Sequence, residues 1–187
     1  WDGSEPHDVA FDEPVYDVYL SVNREPASSV LRFGYESLTT PTTTYDYDMV
    51  ARTRTLLKQE EVLGDFDGSR YQSERLTATA EDGERIPISL VSKVGIPRDR
   101  SHPLLLYGYG AYGLSMDPDF NSARLSLLDR GFIFAIAHVR GGQELGRRWY
   151  DDGRLGQKRN SFTDFIAVAE HLVGEGYSQT DRLFAMG

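Results

Sequence analysis

Residues 122–139 read SARLSLLDRGFIFAIAHV, and their reading decides the fold. The first part, SARLSLLDRG (122–131), is helical in pattern, with Leu125 and Leu128 three apart and Gly131 as a stop. FIFAIAHV (132–139) then runs apolar without a break. Such a run suits a strand buried on both faces. The same grammar extends outward. LLLYG (104–108) precedes the helix as a second buried strand. SFTDFIAVAEHLVGEGY (161–177) follows as the clearest helix, with Ser161 and Asp164 as a capping box and Phe162, Phe165, Ile166, Ala169, Leu172 and Val173 as its apolar stripe. LFAMG (183–187) reads as a third buried strand. Strand, helix, strand, helix, strand predicts a parallel or mostly parallel α/β sheet, whose ligands bind beyond the carboxyl ends of the strands. RLTATAEDGERIPISLVSK (75–93) adds a hairpin turning at Glu81-Asp82-Gly83.

Residues 1–63 differ. YDVYLSVN (16–23), VLRFGYES (30–37), TTTYDYDM (42–49) and RTRTLLKQ (52–59) are β-rich and evenly spaced. Four such strands make one propeller blade. A lone blade cannot bury its own faces, so this half reads as part of a larger array. The domain boundary is placed near LGDFDGSRYQ (63–72), giving units 1–63 and 64–187.

The 187 residues carry a net charge of −9, which opposes nucleic-acid binding. There is no cysteine, so disulfides, thiol nucleophiles and Cys-bound zinc are excluded for this chain. No apolar run is long enough to span a bilayer, and a cytoplasmic address is expected. Trp1 is not a natural start, which leaves room for a lost targeting segment ahead of it.

HPLLLYGYGAYGLSMDPDF (102–120) holds G-x-G-x-x-G at Gly108, Gly110 and Gly113. One reading is a dinucleotide loop, but Ser115-Met116-Asp117-Pro118 delays the helix that a pyrophosphate needs. A second is a tight turn with Tyr107, Tyr109 and Tyr112 merely packed. A third aims a phenol into a cleft, where it can stabilise an oxyanion. Asp117-x-Asp119-x-Asn121 lacks the glycine and terminal glutamate of a calcium loop.

Residues 102–165, with FDEPVYDVYLSVN, LRFGYESLTTPTTTYDYDM and LLKQEEVLGDFD before them, strongly resemble the prolyl oligopeptidase family of serine peptidases, in its oligopeptidase B branch. The resemblance implies an α/β-hydrolase domain capped by a seven-bladed β-propeller, with 1–63 in the last blade region. It implies cleavage of short peptides after Arg or Lys, without a cofactor. It makes Tyr109 an oxyanion-hole donor, Tyr112 part of the pocket for the substrate side chain, and Asp117 and Asp119 carboxylates that favour basic substrates; helix capping is the competing role for the two acids. Arg140 of the Arg140-Gly141-Gly142 loop is expected to pair with a nearby acid such as Glu144, and Trp149 to pack.

The triad is not visible. No G-x-S-x-G occurs. His7, His102, His138 and His171 precede the expected nucleophile and read as structural. By resemblance, Gly187 is the first glycine of the nucleophile elbow, and the 187 residues alone are expected to be inactive. The alternatives are a non-catalytic propeller-plus-α/β interaction module and, through GYGAYG, a nucleotide-binding oxidoreductase.

Overall fold

The computed structural model describes residues 6–187; Trp1, and with it the reading of a non-native start, lies outside the described residues. Two sheets follow one another along the chain. β1 (Tyr16–Leu20), β2 (Val30–Ser37), β3 (Thr43–Asp48) and β4 (Thr53–Gln59) form an antiparallel meander in the order 1-2-3-4. Period-2 alternation puts Phe33 and Tyr35 of β2 and Tyr45 and Tyr47 of β3 on one face. Phe33 and Tyr45 stack at 5.6 Å, and Phe11 stacks on Tyr35 at 4.7 Å. Arg32 and Asp46 pair at 2.7 Å in the neighbouring register position. Every residue of β4 is exposed.

The second sheet holds β5 (Tyr71–Thr79), β6 (Arg85–Lys93), β7 (Leu104–Tyr107), β8 (Ile133–Ala137) and β9 (Leu183–Met186) in the order 5-6-8-7-9. It is mixed rather than parallel throughout. β5–β6 is the expected hairpin, and β6 runs antiparallel to β8. β8, β7 and β9 are parallel, joined through α1 (Ser122–Asp129), the short α2 (Arg147–Asp151) and α3 (Arg159–Gly174). All five residues of β8 are buried. On one side Ile88, Leu104, Leu106 and Ala135 pack with Val168 and Leu172 of α3 and with Trp149. On the other, Phe134 and Ile136 pack with Leu128 of α1. Helices thus cover both faces, which is why the strands are continuously apolar. Val15 and Leu38, flanking the first two strands of the meander, enter this second core and dock the meander on the α/β sheet.

Two local expectations are corrected. α3 starts at Arg159, so Ser161 lies inside its first turn and caps nothing; Ser161 and Asp164 are buried and bond to the neighbouring loops. The buried face runs through Ser161, Asp164, Val168 and Leu172, while Phe162 and Ile166 are exposed. Two polar groups displaced the apolar stripe because the loops beneath α3 supply their partners. No described helix is long and apolar enough to cross a membrane.

Candidate functional site

Three loops meet at the carboxyl ends of the parallel strands. Tyr107 ends β7 beside Met186 of β9, and the Gly108 N–H donates to the Met186 carbonyl at 3.1 Å. The Gly113 N–H donates to the Gly141 carbonyl at 2.9 Å, and the Gly141 N–H to Trp149 O at 2.9 Å. The glycines are needed for space as well as conformation. Gly110 has φ +61, and a Cβ there would meet Val139 Cγ2 at 2.5 Å and Arg140 O at 2.9 Å. No helix begins within Gly108–Gly113; α1 starts only at Ser122, so the motif does not itself run into a helix N-terminus as a pyrophosphate loop does.

The tyrosines divide. Tyr107 turns inward, with its hydroxyl on Met116 Sδ at 3.4 Å. Tyr109 is 39% exposed, and its phenol has no hydrogen-bond partner among the described residues. Tyr112 is 81% exposed and holds φ +58, a left-handed conformation that costs a non-glycine residue about 1–2 kcal/mol. Neither Tyr109 nor Tyr112 is a packed core residue, so simple packing accounts for Tyr107 alone.

Beside these loops lies a cavity of about 680 Å3 between the two sheets. Tyr107 and Met186 form part of its wall. Asp117 and Asp119 enter from the loop before α1, and Asp17 and Glu36 from the meander. Burial holds the Asp117 carboxyl above its ordinary range, reinforced by the negative charges of Asp17 and Glu144. Asp119 is 3.7 Å from Arg124, whose guanidinium lies 4.2 Å over the Phe134 ring. Glu36 accepts from the Phe120 N–H at 3.3 Å. The helix cap is Asn121, which accepts from the Ala123 N–H at 2.9 Å, so neither aspartate is spent on capping. Asp17 and Glu36 escape sequence reading. Each sits in an alternating β pattern like any solvated strand residue, and only the docking of the sheets brings them to the loop.

Arg140 is buried and pairs with Asp164 and Asp82, both at 2.6 Å, not with Glu144. Asp164 accepts from the Nε–Nη2 edge of the guanidinium and also from the Arg140 backbone N–H at 2.9 Å, while Asp82 takes Nη1. These bonds, Asp164 first, hold the guanidinium pKa above its ordinary value. Glu144 instead accepts from the Met116 N–H at 3.0 Å and lies 3.6 Å from His138 Nδ1. His138 bonds Ser89 Oγ at 2.6 Å through Nε2. The Trp149 indole N–H donates to the His138 carbonyl at 3.0 Å, in the packing role expected of it. His7 bonds Tyr47 at 2.8 Å and His102 contacts the Gly131 carbonyl at 3.1 Å.

The chain is similar to known proteins along its length. A profile described as "Prolyl oligopeptidase family" matches residues 118–187, and one described as "Prolyl oligopeptidase, N-terminal beta-propeller domain" matches residues 1–60. Dipeptidyl aminopeptidase BI of Pseudoxanthomonas mexicana is 50% identical over all 187 residues, which cover 26% of its length. Protease 2 of Moraxella lacunata is 40% identical over 96% of this chain and 26% of its own. The structure of oligopeptidase B from Leishmania major superposes with a TM-score of 0.85 at 44% identity, over 95% of this chain and 25% of that one. The chain therefore spans about a quarter of the length of the relatives it matches.

Proposed function

The chain belongs to the prolyl oligopeptidase family, and from that premise we propose that the whole protein is a serine endopeptidase of the oligopeptidase B kind, hydrolysing short peptides after Arg or Lys by acyl transfer. In this reading residues 1–63 belong to the propeller and residues 64–187 to the α/β-hydrolase domain. The observation that carries it is Tyr109. Its unpartnered phenol stands on the loop after the third strand of the α/β sheet, hydrogen-bonded at its base to the end of β9. In α/β-hydrolases this loop supplies an oxyanion-hole donor, across from the strand-to-helix turn that carries the nucleophile. Tyr112 is assigned to the side-chain pocket. Asp117 and Asp119 are assigned to attract basic residues, as carboxylates lining a low-dielectric cleft do.

The residues present can hold a peptide and stabilise the oxyanion of its tetrahedral intermediate. They contain no G-x-S-x-G, so in this proposal the nucleophile, acid and base are other residues of the whole protein, and the 187 residues alone turn over nothing. The test is steady-state cleavage of a fluorogenic peptide with Arg before the scissile bond. Tyr109→Phe is expected to lower kcat/KM by about 10²-fold, as loss of one oxyanion donor does. Unchanged kinetics would remove Tyr109 from the mechanism.

One observation favours a second reading, release of dipeptides from a free amino terminus. The 50% identical relative bears the name dipeptidyl aminopeptidase. Asp17 and Glu36 add two carboxylates that could hold an α-ammonium group. Comparing the same peptide with free and acetylated amino termini separates the readings. The endopeptidase cleaves both, whereas an enzyme that releases dipeptides from a free amino terminus loses the acetylated one.

A further inference from the structure

We infer that Lys158 is a positioning residue for the Tyr109 loop, acting through the Gly110 carbonyl; this rests on the oxyanion role proposed for Tyr109. Lys158 immediately precedes α3 and sends its side chain back beneath the glycine loop. Its ammonium donates to the Gly110 carbonyl and, at 3.1 Å, to Ser161 Oγ. No carboxylate lies within ion-pair distance of it among the described residues.

Two features of this place disfavour a cation, and the Phe162 ring 5.8 Å from the ammonium offsets them only weakly. It stands at the N-terminal end of a helix, where the dipole repels positive charge. Burial holds its pKa below the ordinary lysine value. Lysine side chains are otherwise solvated or paired. The Gly110 carbonyl explains the arrangement. Gly110 is buried, and its oxygen lies where a Cβ on Gly141 would stand. No backbone N–H outside the regular elements donates to it. The one other candidate is Ser161, whose hydroxyl has a single proton. Ser161 Oγ is 2.5 Å from the Arg140 carbonyl and 3.3 Å from those of Gly110 and Gly153, so three acceptors compete for its single proton and Arg140 is the nearest. Lys158 is thus the donor that satisfies the carbonyl directly after Tyr109.

The consequence is mechanical. Tyr109 itself is 39% exposed and makes no side-chain hydrogen bond of its own. Its phenol is therefore placed by ring packing and by its backbone, with no hydrogen bond at the hydroxyl. That backbone is tied before Tyr109 by the Gly108–Met186 bond and after it by the Lys158–Gly110 bond. Oxyanion donors act by fixed placement, and displacements of about 1 Å can cost on the order of 10²-fold in rate.

The test is a double-mutant cycle in the full-length protein, on the same Arg peptide. Lys158→Met is expected to lower kcat by about 10-fold with KM changed less than about two-fold, because a misplaced transition-state donor leaves ground-state binding intact. In the Tyr109→Phe background the same substitution is expected to cost less than about two-fold, since the donor it positions is gone. Lys158→Arg, which can still donate to the carbonyl, is expected to keep at least about half of wild-type kcat. If Lys158→Met does not fold, Lys158→Gln, whose amide falls short of Gly110, carries the same cycle. An equal loss in both backgrounds overturns the inference and leaves the peptidase reading standing, as does a rise in KM at constant kcat. A wild-type protein inactive on the peptide, or an inert Tyr109→Phe, overturns the peptidase reading or the Tyr109 assignment first and the inference with it.

Discussion

The four-stranded meander and the five-stranded sheet are built from strands of similar length but opposite economy. β4 of the meander is exposed along its whole length, and β1 nearly so. Its own core is three aromatics, Phe33, Tyr35 and Tyr47. The second sheet buries Ile88, Leu90, Leu104, Leu106 and every residue of β8. The first is a layer that leans on its neighbours, through Val15 and Leu38 here; the second is the centre of its own domain. The cavity lies where they touch. The buried sheet holds the loops, and the more open sheet contributes Asp17 and Glu36 to the cavity.

The sharpest way to break this comparison is at Arg140. Asp164→Ala would leave a buried guanidinium without its main partner, at a cost of about 3–5 kcal/mol. Hydrogen exchange resolved by peptide should show lost protection in α3 and the 138–142 loop, with the meander unchanged. Equal loss in both sheets would mean that they unfold as one unit. Next in size is a matched pair. Leu106→Ala, in fully buried β7, should cost about 2–5 kcal/mol by cavity formation. Leu56→Ala, in exposed β4, should cost less than about 0.5 kcal/mol. A large Leu56 effect would show that β4 packs against something in the whole protein.

The smallest effect concerns pH. Burial pushes the Glu13 carboxyl up, and hydrogen bonds from Ser37, Thr39, Tyr35 and Thr40 together outweigh it, leaving the pKa below the ordinary 4.5. A depressed carboxyl stabilises the folded state above its unfolded pKa and loses that contribution as pH falls through the folded one. Protection of β2 should therefore drop below pH 4.5, and Glu13→Gln should flatten that drop.

Much of the frame was legible in the chain. Strand and helix positions follow from period-2 and 3.6 patterns, and the turns from Gly83 and Gly131. Legibility failed where partners are distant. Asp164 looked like the close of a capping box because Ser161 sits three residues before it, yet its partner is Arg140, 24 residues away. Lys158 carried no signal, since a lysine before a helix is ordinary until the carbonyl beneath it is known. Phe162 and Ile166 read as core because apolar spacing cannot tell which flank of a helix meets the sheet.

The sequence by itself determined the elements, the two-part grammar, the glycine loop with Tyr109 and the absence of a nucleophile motif, because these depend on residue type and local spacing. Tertiary structure alone decided that Arg140 binds Asp82 and Asp164, that Asp17 and Glu36 face Asp117, and that Lys158 lies under Gly110. Those contacts join residues 24 to 100 positions apart, and charge, hydrogen bonding and burial act through space rather than along the chain.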